Sequence, residues 1–282
     1  PQPKLAVQHH HAHVVAGMLE HGWLDRQVLG VAWDGTGFGT DGTIWGGEFL
    51  ICTAAKFERV ARLRPFRLPG GEAAIHEPWR TAVALCEQFA EPRWLGYIAD
   101  PSRIGDRIQF IRQILSRPHL SPLTSSAGRL FDAAAALILG IERVDYDGQA
   151  AMRLEAIADV EATGHYDLPL EDNSPRELDW RPMFAQLLAD VRDGVAPARI
   201  AMRFHRGLAL AIAEVCRLHG PLPIVLSGGV FQNRLLTELV AELLADRSQP
   251  MGLPGVIPPN DGGLAAGQLA IAAARGGMSP CV

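Results

Sequence analysis

Four histidines fall within five positions, His9, His10, His11 and His13, in the string VQHHHAH (7–13). On a helix, His9 and His13 are i and i+4, so their imidazoles leave one face about one turn apart. Two neutral imidazoles at that spacing can hold Zn²⁺ or Fe²⁺ once a carboxylate closes the site from elsewhere. His10 and His11 cannot share that face with both of them. The pattern HExxH is absent, which excludes the metalloprotease arrangement. A hydrogen-bonded histidine cluster without metal stays open.

Four further segments have chemistry to offer. DGTGFGTDG (34–42) carries enough glycine to bring backbone N–H groups against an anion, and Asp34 at a strand end can hold a metal or its bound water. A tight hairpin turn would need only Asp-Gly, and neither a P-loop nor a GxGxxG fingerprint is present. In LSGGVFQNRLL (226–236), Gly228 and Gly229 clear the backbone for a ligand ahead of a helix N-terminus, and Asn233, one turn into that helix, can reach a base or sugar. Close strand–helix packing explains the glycine pair equally well. PPNDGGLAAGQ (258–268) puts Asp261 at a helix start, where it is a natural N-cap unless the loop turns it toward a cleft. SSAGRLFDAAAAL (125–137) puts Gly128 and Asp132 on one helix face; a carboxylate in so apolar a helix needs a partner or a ligand, and a ribose diol would serve.

The elements that must position these groups are readable from periodicity. A short helix over 9–21 stops at Gly22. Strands at 28–33, 44–51 and 56–64 are spaced for antiparallel hairpins, with residues 34–43 as the first turn. From 77 to 218 the pattern is mostly helical, with amphipathic stretches at 126–140, 180–193 and 198–218, and the polar run 166–180 is expected as a surface excursion. A buried strand at 222–227 opens a strand–glycine–helix unit, and a weaker strand near 251–257 with a helix at 263–275 repeats it. The expected organisation is a linking helix with the histidines (1–27), a β-meander with the glycine turn (28–76), a helical insertion (77–218) and completing strand–helix units (219–282).

With 282 residues, 48% hydrophobic and 20% charged, the chain is an ordinary globular protein rather than a disordered one. A net charge of −5 gives no nucleic-acid footprint, and no apolar run reaches the roughly 18 residues a membrane helix needs. Cys52, Cys86, Cys216 and Cys281 lie far apart without CxxC, which fits a reducing, cytoplasmic setting and argues against a cysteine zinc site. The chain starts at Pro1 with no leader, so it is expected to begin partway through a longer product.

In order, VQHHHAH, DGTGFGTDGTIWGGE, SSAGRLFDA, LSGGVFQN and PPNDGG resemble the carbamoyltransferase domains of the HypF hydrogenase-maturation family. They are similar as well to TobZ-type antibiotic O-carbamoyltransferases and, more distantly, to the tRNA threonylcarbamoyladenosine synthases. The five strings span 7–268, almost the whole chain. The resemblance implies an α/β fold of the ASKHA (actin/sugar-kinase/Hsp70-like) type. This chain would be its second RNase-H-like lobe with a helical insertion, most of the first lobe being absent.

The resemblance further implies a metal held by His9, His13, Asp34 and Asp261, and a nucleotide contacted by Gly35, Thr36, Gly37, Gly128, Asp132, Gly228, Gly229 and Asn233. It implies ATP and a divalent metal as cofactors, iron or zinc at the His/Asp site and Mg²⁺ with the nucleotide. The implied reaction joins ATP and carbamate into carbamoyl-adenylate and pyrophosphate, then moves the carbamoyl group to the C-terminal cysteine of HypE. Carbamoyl phosphate would be handled by upstream domains, and this piece alone would be catalytically incomplete. A small-molecule O-carbamoyltransferase and a non-catalytic nucleotide- or metal-binding module are the alternatives. No protein nucleophile is required.

Overall fold

The computed structural model describes residues 4–89, 101–246 and 248–276. Its elements in chain order are α1 (His9–Glu20), the strands β1 (Val28–Phe38), β2 (Ile44–Cys52), β3 (Phe57–Leu63) and β4 (Phe66–Arg67), then α2 (Glu72–His76), α3 (Trp79–Phe89) and α4 (Pro101–Leu115). They continue with β5 (Leu123–Thr124), α5 (Ala127–Leu139), α6 (Gln149–Ala156), β6 (Leu170–Glu171), β7 (Arg176–Leu178), α7 (Trp180–Arg192) and α8 (Pro197–Leu218). The chain closes with β8 (Ile224–Ser227), α9 (Arg234–Leu243), β9 (Met251–Gly252) and α10 (Leu264–Gly276).

Along its main path the sheet runs β6-β7-β3-β2-β1-β8-β9, with β4 and β5 attached off that path. The meander β1–β2–β3 is antiparallel, whereas β8 lies parallel to β1 and β9 parallel to β8. This is the RNase-H-like lobe that the resemblance implies, and its meander has the antiparallel pairing that the strand spacing predicts. Strand β1 sits centrally and is buried on both faces, so it reads as a continuous apolar run rather than an alternating one. Its even residues Val28 and Ala32 pack with Ala12, Val15 and Met18 of α1 and with Ile271 of α10. Its odd residues Leu29, Val31 and Trp33 face the larger core formed with α5, α8 and α9, including Phe131, Phe204 and Leu236. Gly267 of α10 abuts the Ala12 carbonyl where any Cβ would collide, so α1 and α10 touch backbone to backbone.

Four expectations change. Strand β1 continues through Phe38 with an irregular register between Trp33 and Gly37, so Asp34–Phe38 lie in a strand and only 39–43 turn. The run 166–180 is exposed in its middle, as expected, but it is more than a surface excursion. It supplies β6 and β7, which extend the sheet beyond β3, and it buries Tyr166, Leu178 and Trp180. The helical stretch 77–218 shares one core with the strands and includes β5, β6 and β7, because α5 and α8 bury their apolar stripes on the sheet. The last strand shrinks to Met251–Gly252, since Pro250 and Pro254 flank it and proline lacks the N–H that a ladder needs.

Candidate functional site

At the N-terminal end of α1, the ring nitrogens of His9 and His13 meet the carboxylates of Asp34 and Asp261, with one ligand atom from each of the four within 4.8 Å of all the others. His9 Nε2 lies 3.1 Å from His13 Nε2 and 3.1 Å from Asp34 Oδ2. His13 Nε2 lies 3.2 Å from Asp34 Oδ2, and Asp261 Oδ1 is 3.4 Å from His9 and 3.3 Å from His13. Two imidazole nitrogens and two carboxylate oxygens converging on one point are a donor set that fits a divalent first-row cation. Asp34 is aimed by its neighbours: its Oδ1 accepts from the backbone N–H groups of Gly35 (2.8 Å) and Gly229 (3.1 Å). Burial would push its carboxyl up, but hydrogen bonds to His13 and His9 outweigh that and hold it well below the usual carboxylate range. The same Asp34 contact raises His9 against its own burial. Asp261 does not cap a helix; Asn260 does so, accepting from Gly262 N–H, and this leaves the Asp261 carboxylate facing the histidines.

The other two histidines of the cluster face inward. His10 is fully buried beside Trp45, and burial pushes it down to about 3, so it stays neutral. His11 Nε2 lies 2.8 Å from the Thr53 carbonyl, to which it donates. Gly37 fits against these rings: a Cβ there would crowd His10 and come within 2.7 Å of His9 Cδ2. Gly37 therefore serves the approach of strand to helix and does not line the cavity described next.

That cavity, of about 720 Å³, adjoins the cluster and is lined by Asp34, Gly35, Thr36, Gly128, Gly229 and Asn233 among others. Gly128 is required sterically, because a Cβ there would stand 2.8 Å from Gly35 Cα. Ser126, the N-cap of α5, donates to the carbonyls of Asp34 (2.9 Å) and Gly35 (2.6 Å), so one hydroxyl ties the helix start to the glycine segment. Gly228 does not line the cavity; its φ of 98° and the Trp33 carbonyl where a Cβ would sit explain it.

Asn233 lines the cavity but is the N-cap of α9 rather than a residue one turn into it. Its Oδ1 accepts from Leu236 N–H at 2.8 Å, and its Nδ2 donates to His205 Nε2 at 3.0 Å. Asp132 is absent from the lining. It is 2% exposed, and its Oδ2 lies 3.1 Å from Nε of Arg129. The carboxylate in the apolar helix thus has a protein partner one turn away.

Three further residues shape the site with little signal in the sequence. Arg129 is the i,i+3 partner of Asp132 in the same apolar run, a spacing that was visible. His205 is fully buried and donates from Nδ1 to the Ala201 carbonyl at 2.7 Å, which leaves Nε2 as the acceptor for Asn233. Glu48 is fully buried in β2 and accepts from the Ser125 hydroxyl, next to the Ser126 clamp. A single charged residue within the apolar strand IWGGEFLIC was its only signal.

The chain matches the family model described as carbamoyltransferase, Kae1-like domain, second subdomain, over residues 30–268. It is 39% identical to the carbamoyltransferase HypF of Synechocystis sp., covering 95% of this chain and 37% of that protein. It is 42% identical to the carbamoyltransferase HypF of Rhodobacter capsulatus, covering 97% and 36%. A crystal structure of full-length HypF in the phosphate- and nucleotide-bound form superposes with a TM-score of 0.89 at 36% identity, covering 97% of this chain and 36% of that one. The chain thus spans little more than a third of the length of these relatives.

Proposed function

The chain belongs to the Kae1-like carbamoyltransferase domain family as its second subdomain, and from that premise we propose that it supplies the metal and nucleotide half of an ATP-dependent carbamoyltransferase. The observation that carries this reading is the convergence of His9, His13, Asp34 and Asp261 at the edge of the cavity that Gly35 and Thr36 line. In the proposed reaction, carbamate oxygen attacks the α-phosphorus of ATP and the bond to the β-phosphate breaks, so pyrophosphate leaves and carbamoyl-adenylate remains. A cysteine thiolate then adds to the carbamoyl carbon, and AMP leaves with the electron pair on its phosphate oxygen. The acceptor is the C-terminal cysteine of HypE, and carbamate comes from carbamoyl phosphate handled elsewhere in the protein.

His9, His13, Asp34 and Asp261 would hold an iron or zinc ion, which when bound supplies Lewis-acid neutralisation of the phosphate charge. Gly35 and Thr36 let the nucleotide's phosphates approach the backbone, and Ser126 keeps that segment in place. Asn233, locked by His205, presents a fixed polar edge to the nucleoside. Among the described residues the cysteines are not placed to act as nucleophiles: Cys52, Cys86 and Cys216 are buried, and burial pushes the Cys52 and Cys86 thiols up, away from the reactive thiolate. Cys281 lies outside the described residues. Among the described residues no helix is long and apolar enough to cross a membrane.

The test is pyrophosphate release from ATP and carbamoyl phosphate by the full-length natural protein carrying His13→Ala. Release is expected to fall by at least about 100-fold, since even outer-sphere changes at metal sites cost about 10–100-fold. Undiminished turnover would sink the metal assignment.

A further inference from the structure

Arg129 is 1% exposed, yet it stands in the first turn of α5 and lines the cavity beside Gly35 and Thr36. Its guanidinium meets two carboxylates of different character. Asp132 is buried with it and sits 3.1 Å from Nε. Asp147 reaches Nη2 through Oδ1 from a side chain that is 57% exposed. Nη1 is buried without a hydrogen-bond partner. One buried carboxylate already balances one guanidinium, so Asp147 is a surplus negative group held on the solvent side of the pair. It rests over the glycine segment: Asp147 Oδ2 lies 3.1 Å from where a Cβ on Gly35 would stand. That position lies beside the N-terminus of a 13-residue helix, where the backbone favours an anion.

We propose that Arg129 is the phosphoanion receptor of this cavity, and that the Asp147 carboxylate is an internal stand-in which an incoming phosphoryl group displaces. The ligand class is a phosphate oxyanion, carried by a nucleotide or by pyrophosphate. A planar guanidinium offers paired N–H donors to two phosphate oxygens, and the unsatisfied Nη1 gives this one a donor to spare. Asp132 stays behind as the permanent counterion, while Asp147 moves out into water at little solvation cost because it is already half exposed. The inference rests on the nucleotide reading above and adds to it the residue that grips the phosphate and the group that competes for it.

The experiment is calorimetric titration of the chain with magnesium pyrophosphate, with ATP and with adenosine, for the wild type, Asp147→Asn and Arg129→Lys. Asp147→Asn is expected to tighten pyrophosphate and ATP binding roughly 3–10-fold, as removal of an exposed, charge-assisted competitor predicts. It should leave adenosine binding unchanged. Arg129→Lys, checked for folding by thermal denaturation, is expected to weaken pyrophosphate binding by about 10-fold or more because the forked contact is lost. Pyrophosphate affinity that is unchanged or weaker in Asp147→Asn overturns the proposal whether or not Arg129→Lys folds. Tight adenosine and ATP binding together with such a result would leave the nucleotide reading standing alone. Pyrophosphate binding that responds as expected, with adenosine and ATP failing to bind better than pyrophosphate, would support the receptor while the nucleotide reading falls. A wild-type chain that binds no pyrophosphate overturns the receptor outright.

Discussion

Asp34 and Asp132 are both buried, at 8% and 2% exposure, and both have nitrogen neighbours, yet their carboxyls shift in opposite directions. Asp34 receives two backbone N–H groups and two imidazoles, and these donors hold it ionised despite burial. For Asp132, burial wins over the pull of Arg129 and pushes the carboxyl up to about 6, and its Oδ2 has no hydrogen bond. Burial imposes the same kind of cost on both carboxylates, so the number of aligned donors decides in which direction each one shifts. The well-donated carboxylate is the one pointed at other ligand groups. The poorly donated one is a counterion for a buried arginine.

Three measurements sharpen or break this contrast. The largest effect is expected in metal retention: Asp34→Asn should lower affinity by at least about 100-fold, whereas Asp132→Asn should leave it within about 3-fold. Chelator competition with Fe²⁺ or Zn²⁺ reads both, and equal losses would erase the distinction between ligand and counterion.

The next effect is in stability against pH. The Asp132 carboxyl is raised in the folded state from 3.8 to about 6, so the folded chain binds more protons than the unfolded chain across that window. Wild-type stability should therefore fall relative to Asp132→Asn as pH rises from about 4 to about 6, by at most ~1.4 kcal/mol per pH unit. Taking the difference between the two urea-denaturation curves removes the opposite trend of His205, which burial pushes down to about 4 and which favours folding as pH rises. A flat difference would mean that Arg129 fully offsets the burial of Asp132.

The smallest effect belongs to Ser126→Ala. Loss of the α5 cap and of the hydroxyl's bonds to the Asp34 and Gly35 carbonyls should cost about 1–2 kcal/mol in urea denaturation. A cost below about 0.3 kcal/mol would show that the clamp is redundant.

Much of the site was legible in residue types, and the failures were local ones. The pairing of His9 with His13 followed from helical spacing alone. The extension of β1 through Phe38 did not, because glycine and aspartate are poor strand formers, and tertiary contacts hold the segment: Gly37 and Phe38 pair with β2, and Ser126 bonds the Asp34 and Gly35 carbonyls. The sequence pattern puts Asn233 inside a helix that it in fact caps, because a short 3₁₀ turn, Gly229–Gln232, shifts the boundary by a few positions. The apolar helix shows that Asp132 needs a partner or a ligand, and the structure decides for the partner, Arg129, three residues earlier in the same helix.

By itself the sequence determined what short-range geometry controls: the face shared by His9 and His13, and the apolar run that starts β1. Only the tertiary structure decided which carboxylates close the site. Asp261 comes from the far end of the chain to stand 3.3 Å from His13, and it arrives there because β8 lies parallel to β1 and α10 packs on α1. Periodicity specifies neighbours one turn or one pleat away. The order of strands in a sheet, set by the burial of whole faces, is what joins residues that the chain itself keeps apart.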